Sequence, residues 1–277
     1  MDNNSSLATG DIPFKAIKQQ CNGMLPEAVY ERIYAVARNS SGGDALEIGT
    51  AHGAATVCLA LGLRDRGGNN RVHTVDRLQG GSRSKYGGLD DNRRILERNL
   101  AEFGVTDHVR LWVGDVEDVA MDIPLDNGIG ILMLDADGQI DRDWLLFQKH
   151  LYPDAAVIID DVKDIVRVEK QGKGYGRIDM KMRVTQDLLA LLVGRGHLSQ
   201  GELVGNTYFG NHGQVELDAS EFLAAALRVY RQLVIFDAPV KVTSPVGEPA
   251  RNARAMISRW FSAHPHIKRA LKPISPF

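Results

Sequence analysis

Six aspartates at the ends of short apolar runs are the residues of this sequence best placed to do chemistry. Asp76 follows the run Arg71–Val75. Asp115 follows Val109–Val113 and a glycine. Asp135 and Asp137 follow Ile129–Leu134, and Asp160 with Asp161 follows Ala156–Ile159. If the last two runs are neighbouring parallel strands, Asp135, Asp160 and Asp161 meet at one rim. Carboxylates so placed repel one another, and a hard divalent cation, protonation or basic neighbours must offset that. An oxygen-only donor set favours Mg²⁺, Mn²⁺ or Ca²⁺ over zinc, and no Cys/His set argues otherwise.

A second motif is Leu46-Glu47-Ile48-Gly49-Thr50-Ala51-His52-Gly53. It follows an apolar run and opens a run of small residues, so it reads as a strand–turn–helix crevice. Gly49 permits a tight turn, and Gly53 lets a helix N-terminus approach a ligand. The spacing is E-x-G-x-x-x-G and not the G-x-G-x-x-G of dinucleotide sites.

The elements that must position these groups alternate between strands and helices. Strands are expected at Ala45–Ile48, Arg71–Val75, Val109–Val113, Ile129–Leu134 and Ala156–Ile159. Later strands are expected at Leu203–Phe209 and Leu233–Phe236. Helices are expected at Pro26–Arg38, Ala54–Arg66, Asp90–Phe103, Arg142–Leu151, Lys181–Val193 and Ala219–Leu233. That alternation is an α/β fold with a mostly parallel sheet. The expected organisation is a helical extension over 1–40, one main domain over 41–240 and a basic tail over 241–277. Loops 77–89 and 163–178 are glycine-rich and basic, and they leave strand ends, as lids do.

Composition sets the outer limits. The 277 residues are 44% hydrophobic and 25% charged, as in ordinary globular proteins. No apolar run is long enough to span a bilayer, and the polar N-terminus is unlike a signal peptide, so a cytoplasmic protein without a membrane partner is expected. Cys21 and Cys58 cannot build a disulfide framework. The net charge of −2 hides a split: seven basic residues against one acid from Lys241 onward, and an acidic body before it. An acidic body argues against nucleic acid as a partner. Asp141 and Asp143 open a helix and suit its dipole.

The glycine turn, with Asp76 and Asp115 at the next two strand ends, resembles class I methyltransferases that use S-adenosylmethionine. The resemblance covers about residues 44–165. It implies a Rossmann-like sheet with helices on both faces. It also implies that Glu47, Gly49, Thr50, Ala51, His52 and Gly53 hold the methionine end of the cofactor. Asp76 would serve the ribose, Asp115 with Val116 the adenine, and Asp135 would also border the cofactor. The Asp135-Ala-Asp137 run, followed by Asp160-Asp161, resembles metal-dependent small-molecule O-methyltransferases of the catechol, caffeoyl-CoA and macrocin types. That implies Asp135, Asp160 and Asp161 as ligands of Mg²⁺, or of Mn²⁺ or Ca²⁺. The caffeoyl-CoA type carries a lysine just after D-A-D, where this chain has Gly138. The macrocin type points to Asp137 as base, with Lys163 as an alternative.

The expected function is therefore Mg²⁺-dependent O-methylation of a hydroxylated small molecule, such as a natural-product sugar, polyketide or catechol. The resemblance also implies a homo-oligomer, a dimer or larger. Metal-independent N- or O-methylation, and cofactor binding without catalysis, are the alternatives.

Overall fold

A computed structural model describes residues 12–79, 87–171, 175–213, 215 and 217–237, with backbone alone at 167–171, 175–178 and 234–237. The chain divides into two compact units, Met1–Ala226 and Leu227–Phe277. Of the second, Leu227–Asp237 is described, as the C-terminal part of a helix. The basic tail lies outside the described residues.

The elements run in chain order: α1 (Phe14–Gln20), α2 (Glu27–Asn39), β1 (Asp44–Ile48), α3 (Ala54–Arg66), β2 (Val72–Asp76), α4 (Leu89–Glu102), β3 (Val109–Val113), α5 (Val116–Val119), β4 (Ile129–Leu134), α6 (Ile140–Phe147), β5 (Leu151–Ile159), β6 (Arg167–Gln171), β7 (Tyr175–Asp179), α7 (Lys181–Gly194), β8 (Glu202–Val204), β9 (Thr207–Asn211) and α8 (Ala219–Asp237). Seven strands form one sheet in the order β3-β2-β1-β4-β5-β9-β8, and β6 with β7 forms a separate hairpin. Strands β1 to β5 are parallel, and β9 returns antiparallel to β5 and to β8.

Burial explains the sequence of each strand. β1 and β4 lie mid-sheet and are buried at every position; β4 reads as an unbroken apolar run, whereas β1 carries Asp44 and Glu47 among its apolar residues. β3 is an edge strand and is only partly covered. Helix α3 is buried at every position from Ala54 to Leu63, which its small, apolar sequence permits. It packs under α2, whose Val29, Tyr30, Ile33, Tyr34 and Ala37 share the same core. The two helices cross closely at Gly62, where a Cβ would stand 2.5 Å from that of Ala37. The described part of the segment expected as an N-terminal extension, residues 12–40, thus packs into the core around the sheet.

Several expected elements differ. Leu233–Phe236 is the end of α8 and not a strand. A short Leu-Val-Ile-Phe run reads the same way in a strand or a buried helix. The expected strand Leu203–Phe209 is a hairpin, turned at Gly205 with φ of +65°. Helix α6 ends at Phe147, and β5 begins at Leu151 and runs through Pro153. That proline falls inside a register irregularity, where Ile129 pairs with Leu151 but Ile131 pairs with Ala156. It therefore removes no regular ladder bond. The 163–178 loop contains the β6–β7 hairpin, and 80–86, with Tyr86, lies outside the described residues, as does the side chain of Tyr175.

Candidate active site

Sheet register places the chemistry. Ile48, Leu134 and Ile159 are partners across β1, β4 and β5, so Gly49, Asp135 and Asp160 follow in a row at the C-terminal rim. The ladder continues one step further, with Asp135 N–H donating to Ile48 O at 2.8 Å and Asp160 N–H to Leu134 O at 3.0 Å. A cavity of about 610 Å³ opens over this rim. That is a normal size for a small-molecule site. Four non-glycine residues among those described have positive φ: Asn22 (+50°), Ala51 (+51°), Leu78 (+54°) and Asp161 (+58°). All four line this cavity. Such conformations persist only where the surroundings impose them, and they gather at ligand sites.

The glycine turn is built largely by its own chain. Gly49, at φ +100°, has no room for a Cβ, which would stand 2.3 Å from the Asp135 carbonyl oxygen. Gly53, at φ +88°, is packed so that a Cβ would stand 2.5 Å from Leu96 Cδ1 on α4. The bare position thus also seats α4 against α3. Asp76 Oδ2 accepts the N–H groups of Thr50 and Ala51, so its carboxylate fastens the turn while also facing the cavity.

Glu47, expected at the cofactor, lies beneath the turn. It is fully buried and outside the cavity lining. Its Oε2 accepts the hydroxyls of Thr56 and Thr74, both at 2.6 Å, while Oε1 has no hydrogen-bond partner. Burial pushes its carboxyl up to about 7. Thr50 in turn hydrogen-bonds Thr74, tying the turn to this buried pair.

His52 is buried and borders the cavity. Its Nδ1 faces Asn22 Nδ2 and its Nε2 faces Asn92 Oδ1, each at 3.1 Å, which assigns Nε2 as the protonated nitrogen. Asn92 also donates to Leu78 O at 2.7 Å and to Gly87 O at 3.1 Å, and it accepts Gly87 N–H at 3.2 Å. One asparagine thus ties Leu78 to Gly87, and His52 links it to the turn after α1. Asp115 and Val116 border the other side of the cavity, where the exposed Asp115 lies 3.5 Å from Arg77.

Further along the rim, carboxylate oxygens of Asp135, Asp160 and Asp161 lie within 4.8 Å of one another. Asp160 Oδ1 accepts the Thr207 hydroxyl at 2.5 Å. Lys181 Nζ lies 2.7 Å from Asp161 Oδ2 and 3.5 Å from Asp135 Oδ1. Burial pushes Asp135 up to about 8; Lys181 opposes that shift, and the neighbouring carboxylates add to it. Burial also raises Asp160. Asp137 lies at the cavity mouth, 3.1 Å from Arg142, and accepts Gln139 N–H. Lys163, the alternative base, is exposed and outside the lining, because the chain turns away after Val162 docks on Asn206 O.

Sequence reading missed Lys181, Thr207, Asn92 and Arg142 as cavity residues. The only local signal for Lys181 was the bare Gly138. No helix among the described residues is long and apolar enough to cross a membrane.

Residues 46–162 match a family model described as a methyltransferase domain. Among curated proteins none matches the sequence. Among solved structures, the chain is similar to an O-methyltransferase from Bacillus cereus in complex with SAH, at 15% identity and a TM-score of 0.53. That match covers 76% of this chain and 94% of the other. It is similar to TomG from Streptomyces achromogenes, an O-methyltransferase involved in tomaymycin synthesis and solved with SAM, at 20% identity and a TM-score of 0.50, covering 75% and 90%. It is also similar to cofactor-bound Rv0187 from MTB, at 18% identity and a TM-score of 0.53, covering 76% and 94%. The fold is the Rossmann-like fold of class I methyltransferases, as the strand-end motifs implied.

Proposed function

We propose that the chain is an S-adenosylmethionine-dependent O-methyltransferase that uses Mg²⁺ and methylates a hydroxyl of a small molecule, of natural-product sugar, polyketide or catechol type. The observation that carries this reading is one cavity shared by the glycine turn and the Asp135–Asp160–Asp161 cluster. Three carboxylates with hard oxygen donors fit Mg²⁺, and Mn²⁺ or Ca²⁺ by the same chemistry.

The residues divide the work by position. Ala54 and Ala55, at the start of α3, border the cofactor end, where the helix N-terminus favours a ligand's negative charge. Asp76 holds the turn before it by accepting the Thr50 and Ala51 N–H groups. Asp135, Asp160 and Asp161 would hold the cation, which when bound lowers the pKa of an acceptor hydroxyl. Asp137, which borders the cavity, would accept the proton. Bringing methyl donor and acceptor oxygen together in one cavity would supply the remaining rate advantage.

The test is methyl transfer from labelled S-adenosylmethionine to a panel of hydroxylated acceptors, with EDTA and then with Mg²⁺ restored. The reading expects loss and recovery of turnover. Asp160→Ala with Asp161→Ala should abolish the Mg²⁺ response while cofactor binding by calorimetry survives. Turnover that ignores EDTA would sink the metal requirement.

A further inference from the structure

Resting on the reading of Asp135, Asp160 and Asp161 as a cation site, we infer that Lys181 is the resident cation of this cluster and competes with the divalent metal for the same carboxylates. The ammonium touches Asp161 Oδ2 at 2.7 Å and stands 3.5 Å from Asp135 Oδ1. Two of the three metal-binding groups therefore already face a positive charge. The third, Asp160, is engaged by the Thr207 hydroxyl.

The placement is built into the fold at three points. First, the stem of Lys181 crosses Gly138, where a Cβ would stand 2.9 Å from Lys181 Cγ and 3.2 Å from its carbonyl oxygen. Gly138 also has φ of +86°, so a side chain there is disfavoured twice. The position directly after Asp137 is bare, and a lysine from another element fills the space. Second, Asp179 Oδ1 accepts Lys181 N–H at 3.0 Å, and Thr185 donates to Lys181 O at 2.9 Å, which fixes the first turn of α7. Third, the lysine side chain is only 22% exposed, so its charge is held against the carboxylates with little screening by water.

A divalent ion seated among the three carboxylates would lie beside this ammonium, and like charges at that range repel strongly. Metal entry must therefore displace Lys181 from Asp161. Lys181 lowers metal affinity, and it also keeps the metal-free cluster folded by neutralising it.

Mn²⁺ titration of the full-length chain by calorimetry, with thermal unfolding in the presence and absence of Mg²⁺, tests this. Lys181→Met should bind Mn²⁺ at least tenfold more tightly than wild type. It should also melt lower than wild type without metal and recover with Mg²⁺. Lys181→Arg keeps the charge and should stay near wild type. Lys181→Gln, neutral and polar, gives the same reading should the methionine variant fail to accumulate. Equal or weaker Mn²⁺ binding by the neutral variants overturns the competition. The metal site then still stands, provided wild-type binding is lost on Asp160→Ala with Asp161→Ala. No Mn²⁺ binding by wild type or by the neutral variants overturns the competition and the metal reading together.

Discussion

Asp76 Oδ2 accepts the backbone N–H of Thr50 at 2.9 Å, so the end of β2 fastens the turn that leaves β1. The same oxygen accepts Ala51 N–H at 2.8 Å, and Oδ1 accepts Leu78 N–H at 2.7 Å. Two of these three donors, Ala51 and Leu78, are positive-φ residues. The carboxylate therefore helps hold backbone that would otherwise relax.

Asp76→Asn exchanges one accepting oxygen for a donor that faces N–H groups. It should cost about 1.5–3 kcal/mol of stability, the range for a hydrogen bond to a charged group. It should also weaken binding of S-adenosylhomocysteine at least tenfold. Urea denaturation and calorimetry check the two effects. A variant with wild-type values for both would remove Asp76 from the support of the turn.

Gly53→Val places a branched side chain at φ +88° and against Leu96. Strain and overpacking together should destabilise the cofactor-free protein by about 2–4 kcal/mol. Thermal unfolding without cofactor measures this. A variant with an unchanged melting temperature but lost cofactor binding would return Gly53 to a purely ligand-facing role.

The sequence carried the parallel strands and their terminal aspartates because buried central strands and glycine turns leave strong local marks. Gly49, Asp135 and Asp160 could be aligned once neighbouring strands were assumed. Lys181 could not, because it reaches Asp161 only after the β6–β7 hairpin has returned the chain. That return depends on pairing between Arg167–Gln171 and Tyr175–Asp179, which no periodicity reveals. Glu47 was misread for a related reason. The motif shows a carboxylate beside the turn, but only the packing of Thr56 and Thr74 shows that it points beneath it.

The buried Glu47 makes stability fall with rising pH. Its folded-state value, about 7, lies above its ordinary value of 4.5. The folded protein therefore holds the proton more tightly than the unfolded chain. The contribution is fully present below about pH 4.5 and is lost as pH rises through about 7. The shift corresponds to about 3 kcal/mol. Glu47→Gln stays neutral, so its cofactor-free stability should decline less between pH 5 and pH 8 by an amount of that order. Denaturation at several pH values checks this, and parallel profiles for variant and wild type would refute it.

Arg142 joins two carboxylates in unlike surroundings, and this separates a structural from a catalytic effect. Asp143 is buried and lies 2.7 Å from Arg142, while Asp137 is 37% exposed and lies 3.1 Å away. Burial pushes Asp143 up to about 6 even though Arg142 opposes the shift. Arg142→Met leaves that buried carboxylate without its cation and should cost about 3 kcal/mol at pH 7.5. The defect should shrink towards pH 5, where Asp143 takes up its proton. Asp137→Asn keeps the Arg142–Asp143 pair and breaks only an exposed one, so it should cost less than about 1 kcal/mol. Its effect should instead fall on kcat, at least tenfold, with cofactor affinity unchanged, because the proton acceptor proposed at the cavity mouth is gone. Asp137→Asn with wild-type kcat would leave proton removal to another group, and equal destabilisation by the two variants would contradict the burial difference on which this separation rests.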